Sequence, residues 1–240
     1  MLLRLPTSVS EAQECLIEGA VPIGGATLVW AAWQRDGFPD HAMSLRELPE
    51  ANEIGHETLG AAVLLHRMDD RLPAALRRAA STVGTGAVRR TATVGGNLVG
   101  STLRCLLPAA LVLDAQAVVL DPEGVHETDL AEVLAKRHLL LSLRWRAPIA
   151  SSYQKAVGEA GGPPPLVVAA ALHSADDGQR CLRVAVREDG EVFSDSVVSR
   201  GDVDQDLRTL RDGPFGRLQA ATWDSVHRHV TDLPARPADA

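Results

Sequence analysis

Two glycine pairs carry the most direct chemistry in this sequence, because glycine lets backbone N–H groups close on an anion. In Val21-Pro22-Ile23-Gly24-Gly25-Ala26-Thr27 a short apolar run leads into the first pair, and Thr27 adds a hydroxyl donor. A strand that ends in such a pair and turns into a helix aims several N–H groups at one phosphate. By itself this segment reads equally as a strand–turn–helix with structural glycines. The second segment is more particular. Arg89-Arg90-Thr91-Ala92-Thr93-Val94-Gly95-Gly96-Asn97-Leu98 joins small hydroxyl residues, paired glycines and an amide, with no helical or strand periodicity to explain them. It follows the first by about 70 residues. Two such loops suit the two ends of a pyrophosphate, or a pyrophosphate and a ribityl chain.

Familiar nucleotide motifs are missing. No G-x-G-x-x-G follows the first strand, no acidic residue stands where a ribose would need it, and no Gly-Lys-Ser/Thr occurs. A dinucleotide held by another architecture fits better. Cys15, Cys105 and Cys181 share no C-x-x-C spacing. An all-cysteine iron–sulfur cluster needs four thiolates, so the three read as scattered reduced thiols. His227-Arg228-His229 points its two histidines to different sides of a helix, and no metal site is expected. Asp69-Asp70 and Asp176-Asp177 read as solvated turns. Asp202, Asp204 and Asp206 lack the glycine and distal glutamate of a calcium loop and read as a helix N-terminus with favourable charge. Trp30 and Trp33 read as packing residues. No Gly-x-Ser-x-Gly occurs, and no residue stands out as a catalytic acid, base or nucleophile.

The elements that must position the loops follow from pattern. Ser8 with Glu11 and Ser10 with Gln13 form overlapping capping boxes, which start a helix that ends near Gly19. Ala20 to Ile23 is a strand, and a helix starts near Thr27 and breaks at Phe38-Pro39-Asp40. Ser44 to Pro49 is a connecting turn, and Glu57 to Val63 is strand-like. Pro73 to Val83 is an amphipathic helix. Five glycines crowd residues 84 to 100, so that stretch is loop or backbone pressed against something. Pro108 to Leu113 is helical. Ala117 to Leu120, Leu139 to Trp145, Leu166 to Leu172 and Leu182 to Val186 are strands. Gly161 to Pro165 is a turn or exposed loop. Asp204 to Leu210 and Leu218 to Val230 are helical, and the tail 234–240 is expected to be disordered. A domain boundary is placed near Pro148.

Composition narrows the function classes. Aromatic residues make up 3% of the chain, so the core must be aliphatic. The net charge is -7 without any basic run, which argues against nucleic acid as a partner. No apolar run reaches the roughly 18 residues of a membrane span. The N-terminus lacks the long apolar stretch of a secretory signal, so cytoplasmic residence is expected.

The two loops also carry a family resemblance. The chain resembles the FAD-binding subunit, or middle domain, of xanthine dehydrogenase and carbon monoxide dehydrogenase type enzymes, the molybdenum hydroxylases. That family has a strand followed by Ala-Gly-Gly-Thr-Asp-Leu, to which Ile23-Gly24-Gly25-Ala26-Thr27-Leu28 is similar. Its Ile-Arg-Asn-x-Ala-Thr-Ile-Gly-Gly-Asn-Leu is matched by Val88 to Leu98, and its Leu-Pro-x-x-Leu-x-x-Leu-x-Ala by Leu107 to Ala115. Its Ile-Gly-Ala-Ala strand is similar to Ile54 through Gly60-Ala61-Ala62. Ser151-Ser152-Tyr153-Gln154-Lys155 is similar to the Ser-Ala-Tyr-x-Lys that opens its C-terminal domain.

The resemblance implies an α+β chain with a two-subdomain PCMH-type FAD-binding fold and a small C-terminal sheet-and-helix domain. The expected boundaries are 1–147 for the FAD-binding domain (subdomains about 1–55 and 56–147), 148–233 for the C-terminal domain and 234–240 for the tail. It implies FAD contacts from Ile23, Gly24, Gly25, Ala26, Thr27 and Leu28, from Thr93, Gly95, Gly96 and Asn97, and from Thr102 and Lys155. Three departures stand out. Leu106 replaces an acidic residue common before the Leu-Pro, Ala26-Thr27 replaces Thr-Asp, and Gly158-Glu159 stands where an arginine is frequent. The implied role is electron transfer: electrons arrive from iron–sulfur and molybdopterin partner subunits and leave to NAD or another acceptor. Two alternatives are a stand-alone FAD oxidoreductase or oxidase acting on a small molecule, and a flavin-free binding or assembly protein that keeps the fold.

Overall fold

The computed structural model describes residues 1–158, 164–175 and 178–233. Glu159, Gly161 to Pro163, Asp176-Asp177 and the tail 234–240, named above, lie outside them. Along the chain the first elements are β1 (Leu2–Arg4), α1 (Val9–Ile17), β2 (Val21–Ile23), α2 (Val29–Asp36), β3 (His41–Ser44) and β4 (Thr58–Gly60). Next come α3 (Ala74–Ser81), α4 (Gly86–Arg89), α5 (Leu107–Val112), β5 (Gln116–Asp121), β6 (Gly124–Thr128), α6 (Leu130–Lys136) and β7 (Leu139–Arg144). The last are β8 (Ala150–Lys155), β9 (Val167–Ser174), β10 (Arg180–Glu188), β11 (Glu191–Ser199), α7 (Val203–Arg211) and α8 (Ala220–Thr231). No described helix is long and apolar enough to cross a membrane. The elements gather into two units. The first comprises Met1–Arg71, Val83–Arg104 and Ala115–Trp145; the second comprises Leu72–Thr82, Cys105–Asp114 and the described residues from Arg146 onward.

In the first unit, Ser8 caps α1 by accepting the Glu11 N–H at 3.3 Å. Glu11 reaches back to the N–H and hydroxyl of Thr7 rather than to Ser8. Gly19 closes the helix at φ 80°, a conformation that favours glycine. The chain then returns as β2, and β1, β3 and β2 form a parallel sheet in the order β1-β3-β2. The expected turn at Ser44 to Pro49 is the end of β3 followed by two single 3-10 turns, Leu45–Glu47 and Pro49–Ala51. The Asn52 amide ties them together by donating to the carbonyls of Leu45, Arg46 and Leu48. A second, antiparallel sheet has the order β4-β7-β5-β6. Its alternate residues Val118 and Leu120 face Ala12 of α1 and Leu45, Leu48 and Ala51 in one core.

The second unit is built on the antiparallel sheet β11-β10-β9-β8. β9 reads as a continuous apolar run because both its faces are covered. Val168 and Ala170 join Leu182, Val184 and Val186 of β10 in a core closed by Leu207 and Leu210 of α7, Phe215, and Trp223, Val226 and Val230 of α8. The residues of opposite parity, Val167, Ala169, Ala171 and Ala185, are fully buried too. Their small size lets α3 and α5 pack against β8, β9 and β10. Pro73 has no hydroxyl to cap α3, and the Ser151 hydroxyl of β8 serves instead by accepting the Ala75 N–H at 3.2 Å. Asp202 caps α7 by accepting the Gln205 N–H at 3.1 Å, the role its sequence position implies. The hairpin from β10 to β11 turns on Asp189 and Gly190, at φ 49° and 89°, the left-handed pair that suits a two-residue turn.

His173 on β9 shares a 2.8 Å hydrogen bond with the Val112 carbonyl. Burial, reinforced by Arg183, holds its pKa below the ordinary 6.5 despite that bond. The folded state therefore binds this proton less readily than the unfolded chain does. His173 stabilises the unit fully above about pH 6.5 and loses that contribution as pH falls through its depressed value. Thermal melts between about pH 7 and about pH 5 should fall with pH in the native protein, and by less in His173→Gln. Equal slopes in both proteins would contradict this.

Candidate functional site

β2 runs straight into Gly24-Gly25, and Ala26 then takes φ 53°. That left-handed turn costs a residue with a side chain roughly 1 kcal/mol. It starts α2, whose Trp30 N–H donates to the Ala26 carbonyl at 3.1 Å. The N-cap is Leu28, which has no side-chain acceptor to offer, so no side chain caps the helix. Orphan N–H groups at a helix start are the donors an anion uses. Thr27 stands exposed beside them.

The second loop is fixed from below. The N–H groups of Val94 and Gly95 donate to the carbonyls of Val63 and Ala61 at 3.0 and 2.8 Å. Thr93 pairs across to Leu64. A Cβ on Gly95 would stand 3.1 Å from the Ala61 methyl, so the close approach of that strand explains this glycine. The stretch expected as loop is partly helical: α4 turns at Gly86–Arg89, and Gly96–Gly100 forms one π-helical turn. The Gly96 N–H donates to the Thr93 hydroxyl at 3.1 Å, and the Asn97 N–H donates to the Thr93 carbonyl at 2.9 Å. Thr93 and Asn97 are buried polar residues.

The two loops meet. A Cβ on Gly25 would lie 1.6 Å from the Thr91 carbonyl oxygen, and one on Gly24 would lie 2.3 Å from the Thr93 hydroxyl oxygen. A Cβ on Gly96 would stand 3.0 Å from the same hydroxyl. Thr93 is thus the hub on which Gly24 and Gly96 converge, with Gly25 pressed on Thr91. The cradle has room for backbone only. The Gly95, Gly96 and Asn97 N–H groups are already engaged by Ala61 and Thr93, so the donors left to meet an anion are the uncapped start of α2 and the hydroxyls of Thr27 and Thr93. Thr102 lies exposed just past the π-helical turn.

Lys155 belongs to the second unit, on β8. Its ammonium donates to the Thr82 carbonyl at 3.0 Å and lies 4.0 Å from the Cys105 sulfur. The Arg187 guanidinium stands 3.9 Å from that sulfur, and the Tyr153 hydroxyl donates to the Cys105 carbonyl at 3.2 Å. Burial, reinforced by Cys105, pushes the Tyr153 hydroxyl above its ordinary range. Nothing in the sequence signals this grouping, because Cys105 is one of three scattered thiols and Arg187 lies 82 residues away. Leu106 is fully buried at the start of α5.

The remaining candidates disperse. His227 pairs with Asp204 at 3.1 Å, whereas His229 is buried beside the Ser152 hydroxyl at 2.8 Å. Among the described residues, no three His, Cys, Asp or Glu side chains group to hold a metal. Trp30 and Trp33, expected as packing residues, pack at the surface, since α2 buries none of its residues. Both rings meet Phe38 edge-on, and Trp30 is 49% exposed.

Substitutions should separate the cradle from ordinary loop. Gly25→Ala forces the loops apart and should cost about 1–3 kcal/mol. Thr93→Val leaves the Gly96 N–H without its acceptor, at a similar cost of about 1–3 kcal/mol. Both should lower the melting temperature and the flavin content together. Either variant keeping native stability and native flavin content would contradict the geometry.

Comparison with known proteins gives the family. A family model described as FAD binding domain in molybdopterin dehydrogenase matches residues 3–141, which include both. The curated proteins contain no match. Solved structures share the fold. Quinoline 2-oxidoreductase from Pseudomonas putida 86 is 18% identical with a TM-score of 0.71, over 95% of this chain and 94% of that one. Carbon monoxide dehydrogenase from Hydrogenophaga pseudoflava, in a form lacking the Mo-pyranopterin moiety, is 16% identical with a TM-score of 0.71, over 99% and 96%. Reconstituted CO dehydrogenase from Oligotropha carboxidovorans is 18% identical with a TM-score of 0.70, over 99% and 98%. The chain belongs to the family of FAD-binding domains of molybdopterin dehydrogenases, whose cofactor is FAD.

Proposed function

We propose that this chain is the flavin subunit of a molybdenum hydroxylase-type enzyme, passing electrons from an iron–sulfur partner to NAD or another acceptor. The observation that carries the reading is the convergence of Gly24, Gly25 and Gly96 on Thr91 and Thr93, inside the segment that the family model matches. Bound FAD supplies the redox chemistry. The chain's own residues bind and orient it. Ile23 to Leu28 and Thr93, Gly95, Gly96 and Asn97 line the diphosphate and its neighbours, and Thr102 adds a contact from the same unit. An iron–sulfur cluster feeding this flavin would lie outside the given residues, since three cysteines cannot complete a four-thiolate cluster.

A second reading, a stand-alone FAD oxidoreductase, is favoured by one observation. The position where relatives often carry an acid holds Leu106, buried and apolar. A changed flavin environment fits a changed electron source.

The purified chain should show a flavin absorption spectrum and release FAD on denaturation. Under anaerobic conditions, added NADH should bleach the flavin if NAD is the acceptor of the working enzyme. Flavin turnover by the isolated chain with a small-molecule reductant would favour the second reading. A colourless protein that takes up no added FAD would overturn both.

A further inference from the structure

Arg104 carries two unfavourable features in one residue. Its backbone takes φ 40°, in the left-handed region that side chains avoid. Its guanidinium Nε is buried without a hydrogen-bond partner. Arg104 makes no hydrogen bond or ion pair with the described residues. Other arginines of the first unit are spoken for or exposed. Arg89 donates to the carbonyls of Val83 and Gly84 at 3.1 and 2.9 Å, Arg71 is paired with Asp69 at 2.7 Å, and Arg67 and Arg90 lie exposed.

A guanidinium is charged at every physiological pH and presents donors in a rigid fork. Burying one of those donors without an acceptor is unfavourable, and so is a strained backbone. Structures keep both together where a ligand supplies what the protein lacks. The residue sits just past the Gly96–Gly100 turn, in the same unit as both glycine loops. The diphosphate is the anionic group of FAD, and a bidentate guanidinium is well suited to phosphate oxygens.

We propose that Arg104 is a cationic clamp on the FAD diphosphate, supplementing the uncapped backbone amides at the start of α2. This rests on the assignment of the loops to FAD. The cradle itself holds no charged side chain: its donors are amides and hydroxyls, and Arg104 adds the positive charge that amides cannot.

The test separates ligand binding from structural support. Arg104→Gly suits φ 40° and removes the unpartnered donor, so the ligand-free protein should melt at the same temperature or higher. Its affinity for FAD, and for ADP, which carries the diphosphate without the flavin, should fall by about tenfold or more in calorimetric titration. Affinity for riboflavin, which has no phosphate, should not change. Arg104→Lys keeps the charge without the fork and should fall between. An Arg104→Gly protein with unchanged FAD and ADP affinity overturns the clamp and leaves the loop assignment standing. So does a lowered melting temperature with unchanged ADP affinity, which marks a structural arginine. Failure of the native protein to bind FAD overturns the loop assignment and the clamp with it.

Discussion

Two backbone segments approach each other so closely at Gly24-Gly25 and Thr91–Thr93 that no side chain fits between them. Much of the first unit serves this contact. The parallel sheet β1-β3-β2 delivers the end of β2 to one side. The Ala61–Leu65 stretch holds the other side by hydrogen bonds to Ala92, Val94 and Gly95. The Thr93 hydroxyl then shapes the loop from within by accepting the Gly96 N–H. Backbone groups in such a contact need close support, because they cannot be re-aimed by a rotamer change.

The second unit solves a different problem. Its sheet is covered on both faces, with large residues of α7 and α8 on one side and small alanines facing α3 and α5 on the other. Within it, Cys105, Tyr153, Lys155 and Arg187 form a polar group in an otherwise apolar setting. Two cationic donors on one sulfur give the unit a distinct electrostatic feature where the aliphatic core offers none.

Much of the architecture is legible in the sequence, and the misses have physical causes. The helices α1, α3, α7 and α8 are announced by caps and by apolar spacing. Strands β1 and β3 are three and four residues long, too short for a period of two to register. β6 is mostly exposed and carries Gly124, His126 and Glu127, so composition does not mark it. β11 alternates between exposed and half-buried positions along its length. Its clearest signal is the Asp189-Gly190 turn that precedes it. The glycine loops stood out because no regular element explains their composition. Their convergence did not, since separation along the chain says nothing of contact across it. The π-helical turn at Gly96–Gly100 hid behind its terminal glycines, which ordinarily end a helix. The exposure of Trp30 runs against the usual burial of large aromatics, and nothing in local sequence signals it.

The central claim is that Gly24 to Thr27 and Thr93 to Asn97 form one cradle for one ligand. Amide hydrogen exchange, followed residue by residue with and without FAD, tests it most directly. Exchange should slow in both segments together on adding FAD. Slowing in only one of them, or in neither while FAD is bound, would contradict it.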